Sequence, residues 1–178
     1  MVQLHGFNAF SYRDLSEKIG IKTSSIHYYF PSKDDLGETL VMEYRASFQI
    51  ALDEIKSKNE NPIVQLKEYV SLFISTLKQN GKICLCGMLA SDYQTLSEKI
   101  QLQVREFFDE NERWLAEILN RGKEQNLLGF AGNANDIAST LFAMLEGSML
   151  VSRVYNDESR LQKVADCWLN SLIQLKAN

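Results

Sequence analysis

Apolar residues recur every three or four positions along almost the whole chain, the pattern of amphipathic helices. No stretch alternates strictly enough to predict a strand. Ser11-x-x-Asp14 has the form of a capping box, with Asp in place of the usual Glu. It predicts a short helix from Tyr12 to about Ile19 that buries Leu15 and Ile19, and Gly20 suits its left-handed end. A second short helix is predicted over about Thr23 to Tyr29, stopped by Pro31. Ser32-x-x-Asp35 then opens a long helix, with Asp34 and Asp35 at its positive end. Leu36, Leu40, Tyr44, Phe48, Ala51 and Ile55 form its stripe. Pro62 suits the first turn of the next helix, whose stripe is Ile63, Leu66, Val70, Phe73 and Leu77, broken at Asn80-Gly81.

Ile83 to Tyr93 reads as one or two buried turns. Thr95-x-x-Glu98 predicts the start of a long helix carrying Ile100, Val104, Phe107, Trp114 and Ile118. Asn135 is expected to cap a helix running to about Tyr155. Asp157 or Ser159 is expected to cap the last one, with Leu161, Val164, Trp168, Leu172 and Leu175. The fold class is therefore all-α: a small head of short helices followed by a bundle of longer ones.

Length and composition narrow this picture. The 178 residues allow one compact domain or a small module plus a larger one. No run of about 18 uninterrupted apolar residues is present, so no membrane partner is expected. Met1 to Phe10 lacks the basic flank and apolar core of a signal peptide. The odd cysteine count (Cys84, Cys86 and Cys167) suggests reduced thiols, and the expected location is the cytoplasm. Cys84-x-Cys86 has neither zinc nor redox-motif spacing. The only histidines are His5 and His27, so no metal, no cofactor and no enzyme activity are expected. A redox- or electrophile-sensing role for Cys84 or Cys86 would require exposure and a lowered thiol pKa.

The net charge of −4 is unevenly spread. From Met1 to Lys33, Arg13, Lys18, Lys22 and Lys33 oppose only Asp14 and Glu17, giving +2 and leaving −6 for the rest. A basic end on an acidic body is compatible with a DNA-contacting head. Two short helices joined through a glycine turn also have helix-turn-helix spacing. In that motif the first helix braces the second, whose exposed side chains enter the major groove. Small polar residues such as those in Lys22-Thr23-Ser24-Ser25 can approach bases and phosphates closely.

Several runs together resemble the TetR family of one-component regulators. They are Gly6-Phe7, Tyr12-Arg13-Asp14-Leu15-Ser16, and Gly20-Ile21-Lys22-Thr23-Ser24-Ser25-Ile26-His27-Tyr28-Tyr29-Phe30-Pro31-Ser32-Lys33-Asp34-Asp35-Leu36. The resemblance implies a DNA-binding head over residues 1–36, a connecting helix from about 33 to 57, and a ligand-binding and dimerisation body over 37–178. It implies that Lys22, Thr23, Ser24 and Ser25 meet bases or phosphates, that His27 lies near the groove, and that Tyr28 and Lys33 contact the DNA backbone. Ile26, Phe30 and Leu36 would be head core. Lys22 stands where the family often has a Ser or Thr cap, and Thr23 is expected to cap instead. The family also normally has a longer first helix before the Gly-Phe pair than Met1 to His5 supplies.

In the body, Tyr69, Phe73, Met88, Phe108, Trp114 and Met144 are candidates to line a ligand site between helices. No charged cluster interrupts their stripes, so a mostly apolar effector is expected. The last two helices are expected to pair with their copies in a homodimer. Ala138 and Gly147 would allow close approach there, and Leu141, Leu145, Met149, Trp168 and Leu172 would supply apolar area. The function expected is a dimeric repressor that a small molecule releases from a palindromic duplex operator. The alternatives are a thiol-sensing repressor, and a sensor or interaction protein of this fold that does not bind DNA.

Overall fold

The computed structural model describes residues 1–174, so Leu175 lies outside the described residues. Among them the chain forms nine α-helices and one 3₁₀ turn, with no strand. The helices are α1 (Val2–His5), α2 (Tyr12–Ile19), α3 (Thr23–Tyr29), α4 (Lys33–Lys58), α5 (Pro62–Leu77), α6 (Leu85–Ser91), α7 (Glu98–Glu124), α8 (Ala134–Tyr155) and α9 (Ser159–Gln174). The 3₁₀ turn, Tyr93–Thr95, precedes α7.

The capping chemistry sets most of these ends. Ser11 and Asp14 form the reciprocal box at the start of α2, and Gly20 closes that helix in the left-handed region at φ 74°. Ser32 and Asp35 repeat the arrangement at α4, with the Ser32 N–H donating to Asp35 Oδ2 at 2.9 Å. Asn61 caps α5 with Pro62 in the first turn. Two predicted caps move. Thr95 ends the 3₁₀ turn and donates its hydroxyl to the Asp92 carbonyl, so α7 starts only at Glu98. Asn133, not Asn135, caps α8, because its side chain accepts the Asp136 N–H at 2.9 Å.

The chain divides into two units. Unit 1 comprises Met1–Phe48 and Leu85–Phe108. It exceeds the head predicted over residues 1–36, because α6 and the start of α7 belong to it. Asp92 accepts the Phe7 N–H at 3.1 Å, Asn8 donates to Thr95 at 2.8 Å, and Lys99 bonds Asp35. At Gly37 an added Cβ would lie 2.6 Å from Ile100 Cδ1 and 2.8 Å from Phe7 Cζ, so close helix packing there requires glycine. The core of this unit includes Phe7, Phe10, Tyr12, Ile26, Val41, Ile100 and Phe107. Leu15 and Leu36 are half-buried and Ile19 is exposed, contrary to the stripe read for α2. Tyr12 and Ser16 supply that buried face instead.

Unit 2 comprises Gln49–Cys84 and the chain from Asp109 onward. Here the stripes of α5 and α7 hold better than that of α9, in which Val164 is exposed and Trp168 half-buried. Leu66, Val70, Phe73 and Leu77 of α5 are buried, as are Trp114 and Ile118 of α7. Helix α8 is long and apolar enough, by length and composition alone, to cross a membrane. One of its faces, Ala138, Leu141, Phe142, Leu145 and Met149, is buried inside the unit.

Candidate nucleic-acid interface and the second unit's core

Helix α3 is held from both ends. Its buried anchor is Ile26. At its start the Thr23 hydroxyl donates to Ser16 Oγ of α2 at 3.0 Å, and Ser16 in turn donates to the Arg13 carbonyl at 2.9 Å. At its far end the Tyr12 hydroxyl, whose pKa burial raises, donates to the Phe30 carbonyl at 2.9 Å. The Tyr12 ring also meets His27 edge-on at 4.6 Å. These contacts lock α2 and α3 together through neutral hydrogen bonds and packing.

The bracing leaves one side of α3 open. Lys22, Ser24, Ser25, His27, Tyr28 and Tyr29 are all exposed. Ser24 and Tyr28 are four residues apart, as are Ser25 and Tyr29, so each pair shares a helical row. The Tyr28 and Tyr29 rings meet edge-on at 5.1 Å and remain 81% and 73% exposed. Large aromatic rings that a fold braces yet leaves in solvent are unusual for core packing and suited to a groove or backbone contact. Tyr29 is a candidate that sequence reasoning passed over. Its signal was available: Ile26 is the only aliphatic residue in this seven-residue helix, too little to bury two tyrosines.

Two expected contacts change. Thr23 is not the cap of α3, since Lys22 occupies that position in extended conformation without a side-chain cap bond. Thr23 is half-buried and its hydroxyl serves the α2–α3 joint. Lys33 does not reach outward to a DNA backbone. Its ammonium donates to the Phe7 carbonyl at 2.6 Å and to the Phe10 carbonyl. It also lies 4.7 and 4.3 Å from the centroids of the Phe7 and Phe10 rings. Burial lowers its pKa, partly offset by the charges of Asp14, Asp34 and Asp92. Lys33 therefore locks the Phe7–Phe10 segment to the start of α4.

Of the residues expected around a ligand, Tyr69, Phe73 and Trp114 come together in the core of unit 2. Tyr69 stacks on Trp114 with centroids 5.3 Å apart and an interplanar angle of 20°, and meets Phe73 at 5.3 Å. Its hydroxyl donates to Asn111 Oδ1 at 2.7 Å, and burial together with the charge of Glu146 raises its pKa well above the ordinary value. Met88 and Phe108 belong to unit 1. Met144 lines an open groove on α8 and α9.

One charged side chain, Glu146, enters this core. The residue is half-buried overall, yet both carboxylate oxygens are covered and have no cation or N–H or O–H donor. Burial pushes its pKa up to about 7, and the neighbouring Cys84 thiol offsets part of that rise. The residue escaped sequence reasoning because it occupies a boundary position of α8, where an exposed acid is the ordinary reading. Cys84 and Cys86 are both buried. Burial removes from both the exposure that redox or electrophile sensing needs.

The residues expected in a dimer interface also divide. Ala138, Leu141, Leu145, Met149 and Leu172 are 0–4% exposed within their own chain and cannot meet a second copy. They form the inner face on which α8 and α9 pack. Gly147 is exposed and Trp168 half-buried. The outward face carries Leu150, Val151, Val154, Tyr155 and Val164, from 40% to 81% exposed. Beside it lies a groove of about 420 Å³ lined by Met144, Gly147, Ser148, Val151, Arg160, Lys163 and Val164.

Two family models match separate stretches of the chain. The family model "Bacterial regulatory proteins, tetR family" matches residues 1–40. "Transcriptional regulator LmrA/YxaF-like, C-terminal domain" matches residues 62–167. A TetR-family regulator of Agrobacterium tumefaciens superposes with a TM-score of 0.93 at 32% identity, over 97% of this chain and 91% of its own. The Escherichia coli K12 repressor NemR is 25% identical over 156 residues, 84% of this chain and 76% of its own. The nucleoid occlusion factor SlmA of a Marinomonas strain is 23% identical over 136 residues, 76% and 68% of the two chains. With its braced helix-turn-helix, all-α body and two matching family models, the chain belongs to the TetR family and is a DNA-binding transcriptional regulator rather than an enzyme.

Proposed function

We propose that the protein is a cytoplasmic, homodimeric repressor that a small, largely apolar molecule releases from a palindromic operator. The observation that carries the reading is the open face of α3, where Lys22, Ser24, Ser25, His27, Tyr28 and Tyr29 stand exposed on a helix locked to its brace. One short helix reads too few base pairs for specificity, so two heads are required, with half-sites roughly 34–36 Å apart or a multiple. The exposed apolar face of α8 and α9 supports the dimer. A patch of that kind on a regulatory protein marks an interaction surface, and a two-fold pairing would cover it on both copies. Repression is supported by the similarity to NemR, a transcriptional repressor.

Ligand response rests on the aromatic cluster of Tyr69, Phe73 and Trp114 in unit 2. Helices α4 and α7 each contribute residues to both units, the first passing the boundary at Phe48 and the second at Phe108. A guest that alters their placement changes the separation of the two heads. It shifts the equilibrium only by its difference in affinity for the two spacings. The test has two parts. Val154→Asp, which puts a charge on the exposed face, is expected to yield monomers in size-exclusion chromatography with light scattering. Monomers are then expected to lose specific operator binding. A V154D protein that stays dimeric and operator-competent would reject the α8–α9 interface.

A further inference from the structure

Buried polar groups in folded proteins nearly always have hydrogen-bond partners. Unit 2 breaks this rule twice in one cluster. Neither carboxylate oxygen of Glu146 is paired with a cation or with an N–H or O–H donor, the Cys84 thiol being the group that offsets its burial, and the indole Nε1 of Trp114 donates to no partner, although all three atoms are covered. The two residues meet through Tyr69, which stacks on the Trp114 ring and lies within the field of Glu146. Phe73 and Phe142 extend the apolar wall, 6.3 Å apart edge-on. The other polar members are already matched. Tyr69 donates to Asn111 at 2.7 Å, and Lys56, whose ammonium lies 5.9 Å from the Trp114 ring, is paired with Glu117 at 2.6 Å.

A buried carboxyl with no cation and only a weak thiol donor beside it costs stability when it ionises. The stacked Tyr69 and Trp114 rings carry negative quadrupoles, which attract cations as the carboxylate does. A neutral apolar guest would leave Glu146 unmatched. A carboxylate guest would be repelled. We infer that unit 2 recognises an aromatic or apolar molecule bearing a positive nitrogen centre, with Glu146 as its counter-ion and the Tyr69–Trp114 stack as its hydrophobic wall. This rests on the ligand-responsive reading above and sharpens it, since it adds a charge to the effector. Glu146 near its ordinary-pH midpoint fits the role: burial holds it close to neutral when alone, and a bound cation would favour its ionised form.

Three probes of one shape test this on the full-length protein: 1-naphthylmethylammonium, 1-naphthylmethanol and 1-naphthoate, measured by calorimetry near pH 8. The amine is expected to bind roughly tenfold or more tighter than the alcohol, and the carboxylate weakest. Glu146→Gln is expected to bring the amine down to the level of the alcohol while leaving the alcohol unchanged. Equal binding of amine and alcohol, an amine preference that survives in E146Q, or no binding of the amine would each overturn the inference. Should E146Q fail to fold, the wild-type amine-to-alcohol ratio decides alone, and Trp114→Phe, which keeps the ring and removes Nε1, should weaken all three probes less than the charge series separates them. Operator release is read separately. An amine that binds through Glu146 without releasing DNA leaves this site standing and rejects the ligand-release mechanism instead.

Discussion

In unit 1 the charged groups at the joints between helices find partners close by. Lys33 is held by the Phe7 and Phe10 carbonyls, and Asp35 by Ser32 and Lys99, whose bonds bring its pKa to about 2. The residues that would meet DNA stay in solvent, carried on a helix that these bonds help to fix. In unit 2 the opposite holds. The apolar core is well ordered in stacks and edge contacts, yet Glu146 brings a carboxyl into it with no cation beside it, and Trp114 an indole N–H without an acceptor. A surface that reads DNA needs rigid support and exposed chemistry. A site that senses a small molecule needs covered chemistry still seeking a match. The contrast separates the two tasks by the state of their polar groups rather than by their composition.

The largest effect that would break this contrast concerns Glu146. Its folded pKa of about 7 lies above the ordinary 4.5, so between those values the folded chain binds more protons than the unfolded one. Stability should therefore fall as pH rises through this window, by up to about 3 kcal/mol once the carboxyl is ionised. Glu146→Gln should match the wild type below about pH 4.5 and exceed it increasingly up to about pH 8. Denaturant unfolding at a series of pH values checks this. A wild-type-to-variant difference independent of pH would mean the carboxyl is solvated or paired.

A smaller effect is expected at Lys33. Lys33→Ala removes two bonds from a charged donor and its contact with two rings, and should cost about 2 kcal/mol in unfolding experiments. A Lys33 that contacted DNA would behave differently, leaving stability unchanged and lowering the salt slope of operator binding. Smallest is the effect at Lys22, exposed at the start of α3. Lys22→Ala should leave unfolding unchanged, weaken operator binding, and reduce the slope of log affinity against log salt by about 1. An unchanged slope would remove Lys22 from the interface.

Much of the fold was legible because its signals are local. The boxes at Ser11–Asp14 and Ser32–Asp35, Gly20 at φ 74° and Pro62 at a helix start each act within a few residues, and the three helices they bound, α2, α4 and α5, begin or end where those residues predict. The errors have a common origin. Ile19 looks buried to a periodicity argument, but Tyr12 and Ser16 face the core of α2 instead. Ala138, Leu141, Leu145 and Met149 are apolar and small enough for an interface, yet the stripe of an amphipathic helix does not say whether its own chain or a copy covers it. The candidate site shows the same limit. That Lys22, Ser24, Ser25, His27 and Tyr28 would stand on the outer side of a short helix followed from the family resemblance, and all five are exposed on α3. The turn of Lys33 toward two backbone carbonyls and the burial of Glu146 depend on residues 23 to 62 positions away and were not legible.

The central claim is that the exposed face of α3 reads DNA. It is tested most directly by selecting binding sites for the full-length protein from a random duplex pool, beside the Ser24→Ala/Tyr28→Phe double variant. The account predicts enrichment of one palindromic motif by the wild type, with half-sites spaced for two heads, and its loss or relaxation in a variant that folds normally. Equal enrichment of the same motif by both proteins, or no motif above the pool from a folded dimer, would contradict it.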